Sequence, residues 1–126
     1  MNSAIKTFHD LIVWQKAMLL VTDVYKASRS FPKDEIYGIT AQLRRAAISI
    51  PSNIAEGHAR RSRTEYSRYV QIALGSLNEL QTQLEITLNL EYITKANFDS
   101  LHEKSREIER MLCSLYQKLS NPQPAP

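Results

Sequence analysis

Residues 62–84 read SRTEYSRYVQIALGSLNELQTQL, and their spacing is helical from end to end. Tyr66, Val70, Ala73, Leu77, Leu80 and Leu84, continued by Leu88, recur at steps of three and four. At about 3.6 residues per turn this draws one apolar stripe along a helix. Ser62 and Glu65 supply S-x-x-E, the pattern in which each residue can satisfy a free backbone N–H of the first turn. The helix is predicted to reach Leu90.

The chain on either side follows the same period. Upstream, a second helix is predicted from about residue 34 to 58, with Leu43, Ala47, Ile50 and Ile54 as its stripe and Gly57 near its close. Pro51 lies inside it. Proline has no N–H to give Ala47 and its ring crowds that carbonyl, so a kink or a short break is expected there. A first helix carries Leu11, Trp14, Met18, Val21 and Tyr25, with Ala17 and Val24 beside them. Thr7 and Asp10 resemble a capping start, and Ser30-Phe31-Pro32 ends the helix. A fourth begins after Thr94 as N-cap, with Ile93 and Phe98 spaced as a hydrophobic staple. Its stripe is Phe98, Leu101, Ser105, Ile108, Leu112, Leu115 and Leu119.

Four amphipathic helices with short connections bury their stripes most simply against one another. The expected fold is all-α, an antiparallel up-down-up-down four-helix bundle with its second helix kinked near Pro51. The bundle is expected over residues 8–119, with a flexible N-terminus at 1–7 and a flexible Pro-rich tail at 120–126. The 126 residues suit one domain. Only 3 of them are Gly, which disfavours a sheet with many tight turns. The single Cys113 can form no internal disulfide and reads as a small buried or half-buried hydrophobe. The first residues lack an apolar signal core, and no apolar run is long enough to span a bilayer. A soluble cytoplasmic protein with no membrane partner is expected.

Some apolar side chains fall outside the stripes. Ile12 and Leu19 lie nearly opposite Trp14 and Val21, and Ile72 and Ile86 point away from Leu77, with Leu90 close by. Isolated surface apolar residues are common. Paired ones at heptad spacing on two helices instead point to an oligomer interface made by Ile12, Leu19, Ile72, Ile86 and Leu90 in a homo-oligomer.

Catalytic chemistry is hard to assemble. His9, His58 and His102 fall in distant segments, none with a His or Cys at helical metal spacing. No Glu-x-x-His pair of the di-iron bundles occurs. Glu103, Glu107, Arg106 and Arg110 read as an exposed mixed-charge face. There is no Gly-rich phosphate loop. No enzyme activity, metal or cofactor is expected. Charge is the one polar feature above background. The net is +3, but residues 58–70 alone hold Arg60, Arg61, Arg63 and Arg68 against Glu65. Arg44 and Arg45 add charge on the second helix. Two readings stand for these arginines. They form a phosphate-binding surface at a helix start, or they are a solvated loop with Arg–Glu pairs across a subunit boundary. An oligomer would repeat the charge around one axis, and binding to phosphate strengthens with the number of charges engaged.

The strings FHDLIVWQKA (8–17) and FPKDEIYGITAQLRRAAISIPSNIAEGHARRSRTEYSRYVQIALGSLNELQTQL (31–84) resemble the family of 23S rRNA intervening-sequence proteins. The resemblance spans roughly residues 8–119 and is most specific in QLRRAAISIPSNIAEG, the Arg run and GSLNEL. It implies a short bacterial four-helix-bundle protein forming a homopentameric ring, with RNA as the proposed partner. A weaker likeness, in architecture, is to the accessory variability determinants of diversity-generating retroelements, basic pentamers that bind nucleic acid and a reverse transcriptase. In this light Asn53 and Glu56 are expected to cap or pair near the kink, and Gly57 to permit a close approach or a positive φ. The alternative to RNA binding is a protein-interaction scaffold or accessory subunit that recruits another protein and has no nucleic-acid role.

Overall fold

The computed structural model describes residues 4–121. Four helices account for most of them: α1 (Ile12–Ser28), α2 (Ile39–His58), α3 (Arg63–Asn89) and α4 (Lys95–Ser120). Short 3₁₀ turns at Phe8–Asp10 and Lys33–Glu35 precede α1 and α2, and no strand occurs among the described residues. The fold is the all-α antiparallel bundle. Each helix packs on its chain neighbours and α1 packs on α4, whereas α1 and α3, like α2 and α4, are diagonal, with no close approach of their backbones. The ends of α2 and α4 therefore lie with the starts of α1 and α3.

The core follows three of the four stripes. Leu43, Ala47, Ile50 and Ile54 of α2 are fully buried, as are Val70, Ala73, Leu77, Leu80 and Leu84 of α3 and Leu112 of α4. At two of the helix starts the expected N-cap side chain bonds the backbone, without the reciprocal bond from Glu65 at α3 among the described residues. Ser62 Oγ accepts from the Glu65 N–H at 3.0 Å, and Thr94 Oγ1 from the Asn97 N–H at 3.1 Å. Ser105, a polar residue in the α4 stripe, is completely buried; its hydroxyl donates to His102 O at 2.7 Å and accepts from Gln81 Nε2 at 3.2 Å.

Several expectations are corrected. In α1 the buried line is Val13, Ala17, Leu20, Val24 and Ser28. Trp14, Val21 and Tyr25 are only half-buried and Met18 is exposed. The small Ala17 lies at the centre of the contact, and the larger side chains flank it. Thr7 and Asp10 do form a capping box, but it closes the 3₁₀ turn Phe8–Asp10, and α1 starts later with Leu11 in an extended conformation. The second helix starts at Ile39, after the Lys33–Glu35 turn, where Tyr92 donates its hydroxyl to Glu35 Oε2 at 2.9 Å.

The helix α2 continues without a break through Pro51, which is buried, so no interruption marks a kink. The turn around the proline is tied from the side. Asn53 Nδ2 donates to Ser49 O at 2.8 Å and to Ser49 Oγ at 2.9 Å, and Ser76 Oγ of α3 lies 2.8 Å from Ser49 Oγ. Cys113 is exposed rather than buried, because Leu112 takes the core position beside it. In the N-terminal segment Lys6 and Thr7 donate their backbone N–H groups to Asp10 Oδ2 at 2.9 and 3.2 Å. Residues 1–3 and 122–126, expected to be flexible, lie outside the described residues.

Candidate nucleic-acid interface

The turn from α2 into α3 is built on a close approach. Gly57 is buried, and a Cβ there would meet Tyr69 Cβ at 2.7 Å and Tyr66 Cδ1 at 3.1 Å. Its φ is not positive, so the glycine serves proximity rather than backbone handedness. With α3 drawn this near, Arg60 reaches across the turn. Its guanidinium pairs with Glu56 at 2.8 Å, bonds the Tyr69 hydroxyl at 2.9 Å and lies 4.9 Å from the centre of the Tyr69 ring. Glu56 thus pairs as expected, with Arg60. Arg63 donates to the backbone carbonyls of Lys118 and Asn121 and so caps the end of α4, where free carbonyls favour a cation.

Arg61 and Arg68 are exposed, and among the described residues neither has an ion pair or a side-chain hydrogen bond. They are the two guanidinium groups at this end without a partner among the described residues. Arg44 and Arg45 do not join them. At 1.5 Å of rise per residue they lie roughly 22 Å up α2 from Arg60. Arg44 is half-buried, donating to Ser28 Oγ at 2.8 Å and stacked 4.6 Å from the centre of the Tyr25 ring. Arg45 is exposed and lines an open groove with Gln42, Ser49, Glu79 and Gln83. The six arginines divide into a terminal group of four and a separate pair.

Two histidines that are far apart in the chain come to this same end. His58 sits edge-on to Tyr66, their ring centres 5.9 Å apart, and burial pushes the Tyr66 hydroxyl above its usual range. Asp10, in the turn before α1, is held below the usual carboxylate range. The backbone N–H groups of Lys6 and Thr7 dominate that shift, and the nearby His9 and His58 add to it. An aromatic group that the periodicity does not reveal surrounds the turn. Phe8 and His9 are stacked at 4.2 Å, and both meet Trp14 edge-on at 5.1 and 5.0 Å.

The five residues expected at an oligomer interface are exposed in the protomer: Ile12 at 55%, Leu19 at 65%, Ile72 at 44%, Ile86 at 41% and Leu90 at 50%. Four of them sit on the diagonal helices α1 and α3, and Leu90 lies just past the end of α3. A further apolar groove between α1 and α2 is lined by Trp14, Met18, Val21, Ile48, Pro51 and Ala55. Among the described residues no three His, Cys, Asp or Glu side chains converge as a metal site, and no helix is long and apolar enough to cross a membrane.

The family model described as "23S rRNA-intervening sequence protein" matches residues 9–114. Among solved structures, the chain is similar to a protein of unknown function from the S23 ribosomal protein family of Bacteroides thetaiotaomicron. The two are 28% identical, the match covers 84% of this chain and 99% of the other, and the TM-score is 0.77. No curated protein matches.

Proposed function

The chain belongs to the 23S rRNA-intervening sequence protein family, and on that premise we propose that it is a non-enzymatic, homo-oligomeric bundle that binds RNA through phosphate contacts. The observation that carries this reading is the pair of uncommitted guanidinium groups, Arg61 and Arg68, beside Arg60 and Arg63 at one end of the bundle. Such contacts track the RNA backbone rather than base edges, so binding is weakly sequence-specific and strongly salt-dependent. Arg60 and Arg63 add field while holding the turn in shape. Arg44 and Arg45, at the far end of α2, supply a second site at most.

Oligomerisation multiplies these charges. Of the exposed large apolar residues, Ile12 and Leu19 lie on α1 and Ile72 and Ile86 on the diagonal helix α3, with Leu90 just past its end, while Ile48 is exposed on α2 and Ile36 and Tyr37 before it. Faces on opposite sides of a bundle suit a contact in which one patch meets the other, and repetition of such a contact closes a ring. Five subunits is the number implied by the family resemblance. Retention of RNA against rising salt tests the reading: retention at about 50 mM that fades steeply towards about 200 mM supports it, and no retention at the lower salt overturns it.

The groove of Trp14, Met18, Val21, Ile48, Pro51 and Ala55 favours a second reading, a scaffold that holds another protein. Recovery of one protein partner after nuclease treatment, by a chain that retains no RNA, supports that reading over the first.

A further inference from the structure

Resting on the RNA reading above, we propose that Phe8, His9 and Trp14 form a stacking platform for an unpaired base, so that the RNA held at the Arg61–Arg68 end is single-stranded. Phosphate contacts alone do not distinguish a single strand from a duplex. An exposed ring next to them does, because duplex bases are stacked on one another and offer no open face to a side chain. Stacking on aromatic side chains is also tolerant of sequence, in keeping with a site that reads backbone charge.

The geometry favours His9 as the surface of the platform. The residue is exposed, and its ring is stacked on that of Phe8 at 4.2 Å with an interplanar angle of 25°. Trp14 braces it edge-on at 5.0 Å. Thr7 fixes the residue twice, accepting the His9 N–H at 3.2 Å and lying 3.1 Å from Nδ1. Gln15 Nε2 donates to the His9 carbonyl at 2.8 Å. A ring held in this way loses little freedom when a base stacks on it. The turn that carries it packs on α2, at the end where α2 runs into the arginines. The one acidic group in the turn, Asp10, has its carboxylate engaged by the Lys6 and Thr7 N–H groups.

Trp14 is the only tryptophan, so its emission reports on the platform directly. The experiment titrates the full-length chain at low salt with an oligouridylate of about 12 nucleotides, and separately with a blunt RNA duplex of that length, following anisotropy and Trp14 fluorescence together. The single strand is expected to bind more tightly and to change Trp14 emission, and the duplex to leave emission unchanged. His9→Ala keeps the backbone bonds of the turn and is expected to weaken single-strand binding roughly ten-fold with no effect on the duplex. His9→Phe is expected to restore it. Binding with Trp14 emission unchanged, an equal emission change with the duplex, unaltered binding by His9→Ala, or no restoration by His9→Phe each overturns the platform while leaving the phosphate reading intact. Failure of both RNAs to bind at low salt overturns the phosphate reading, and the platform with it.

Discussion

Gly57 and Tyr69 approach so closely that a β-carbon on the glycine would lie 2.7 Å from the β-carbon of the tyrosine. Tyr66 adds contacts at 3.1 Å from Cδ1 and 3.3 Å from its carbonyl oxygen. The Tyr66 ring can give way, but Tyr69 Cβ and the Tyr66 carbonyl are fixed to the α3 backbone, so rotamer changes cannot relieve the clash. Gly57→Ala gains about 1 kcal/mol of helix propensity but forces α2 and α3 apart where both are packed, which costs typically 1–3 kcal/mol or more. A net loss of about 1 kcal/mol is expected, with loosening of the Arg60–Tyr69 stack. The urea midpoint measures it, and an unchanged or higher midpoint contradicts the argument.

Glu91 predicts the opposite sign. It has φ 62, the left-handed conformation that follows the end of α3. The Glu91 N–H donates to Leu88 O at 3.0 Å and the Tyr92 N–H to Thr87 O at 2.9 Å, a Schellman ending whose left-handed position is usually glycine. A side chain costs about 1–2 kcal/mol in this conformation, against about 0.5–1 kcal/mol for the extra freedom of glycine in the unfolded chain. Glu91→Gly is therefore expected to stabilise the protein by about 0.5–1 kcal/mol, seen as a rise in melting temperature. A fall would show that the carboxylate contributes more than its backbone geometry costs.

Thr40 offers a test of buried polarity. The residue is 2% exposed, and its hydroxyl is among the buried side-chain atoms without a hydrogen-bond partner. An unsatisfied buried hydroxyl costs about 1–3 kcal/mol relative to an apolar group of the same shape. Thr40→Val keeps the branched outline and should stabilise by about 1 kcal/mol in equilibrium urea unfolding. Destabilisation would mean that a partner, such as water, satisfies the hydroxyl in solution.

How far sequence carries depends on how many faces of a helix are apolar. In α2 the line Leu43, Ala47, Ile50 and Ile54, and in α3 the line Val70, Ala73, Leu77, Leu80 and Leu84, outweigh the few apolar residues beside them, such as Ile48, Ile72 and Ile86, and both lines are fully buried. In α1 three lines compete: Ile12 with Leu19, Val13 with Ala17 and Leu20, and Trp14 with Val21. Periodicity favours the line with the largest side chains, yet the contact surfaces of α2 and α4 select the line through the small Ala17. Arg60 and Arg63 were legible as charges. Their partners were not, because Tyr69 and the Lys118 carbonyl come close only once helices pack. The Phe8–His9–Trp14 group escaped for the same reason, since it belongs to a turn rather than to a stripe.

Arg61 and Arg68 should behave alike in RNA binding. Each phosphate contact removed lowers the slope of log K against log salt by about 0.7–0.9. Arg61→Ala and Arg68→Ala are each expected to reduce the slope by about that amount per contact made, with similar losses on unrelated sequences. Arg44→Ala should instead lower stability, because it removes the bond to Ser28 and the stack on Tyr25. A binding loss confined to Arg44→Ala would move the interface to the other end of α2.

The exposed residues of α1 and α3 give the test of assembly. Leu19 is 65% exposed and Ile86 41%, on helices that lie diagonally across the bundle. If the α1 patch of one copy covers the α3 patch of the next, burial of each such side chain contributes about 1.5–3 kcal/mol per contact. Leu19→Glu or Ile86→Lys alone places a charge in that contact and should reduce the mass in size-exclusion chromatography with light scattering towards the 14.5 kDa of one chain. The double variant sets the two charges on facing patches and should recover part of the assembly, whereas in a two-fold contact of α1 with α1 it would recover none. A wild-type mass of one chain removes the ring, and with it the multiplied charge on which tight RNA binding depends.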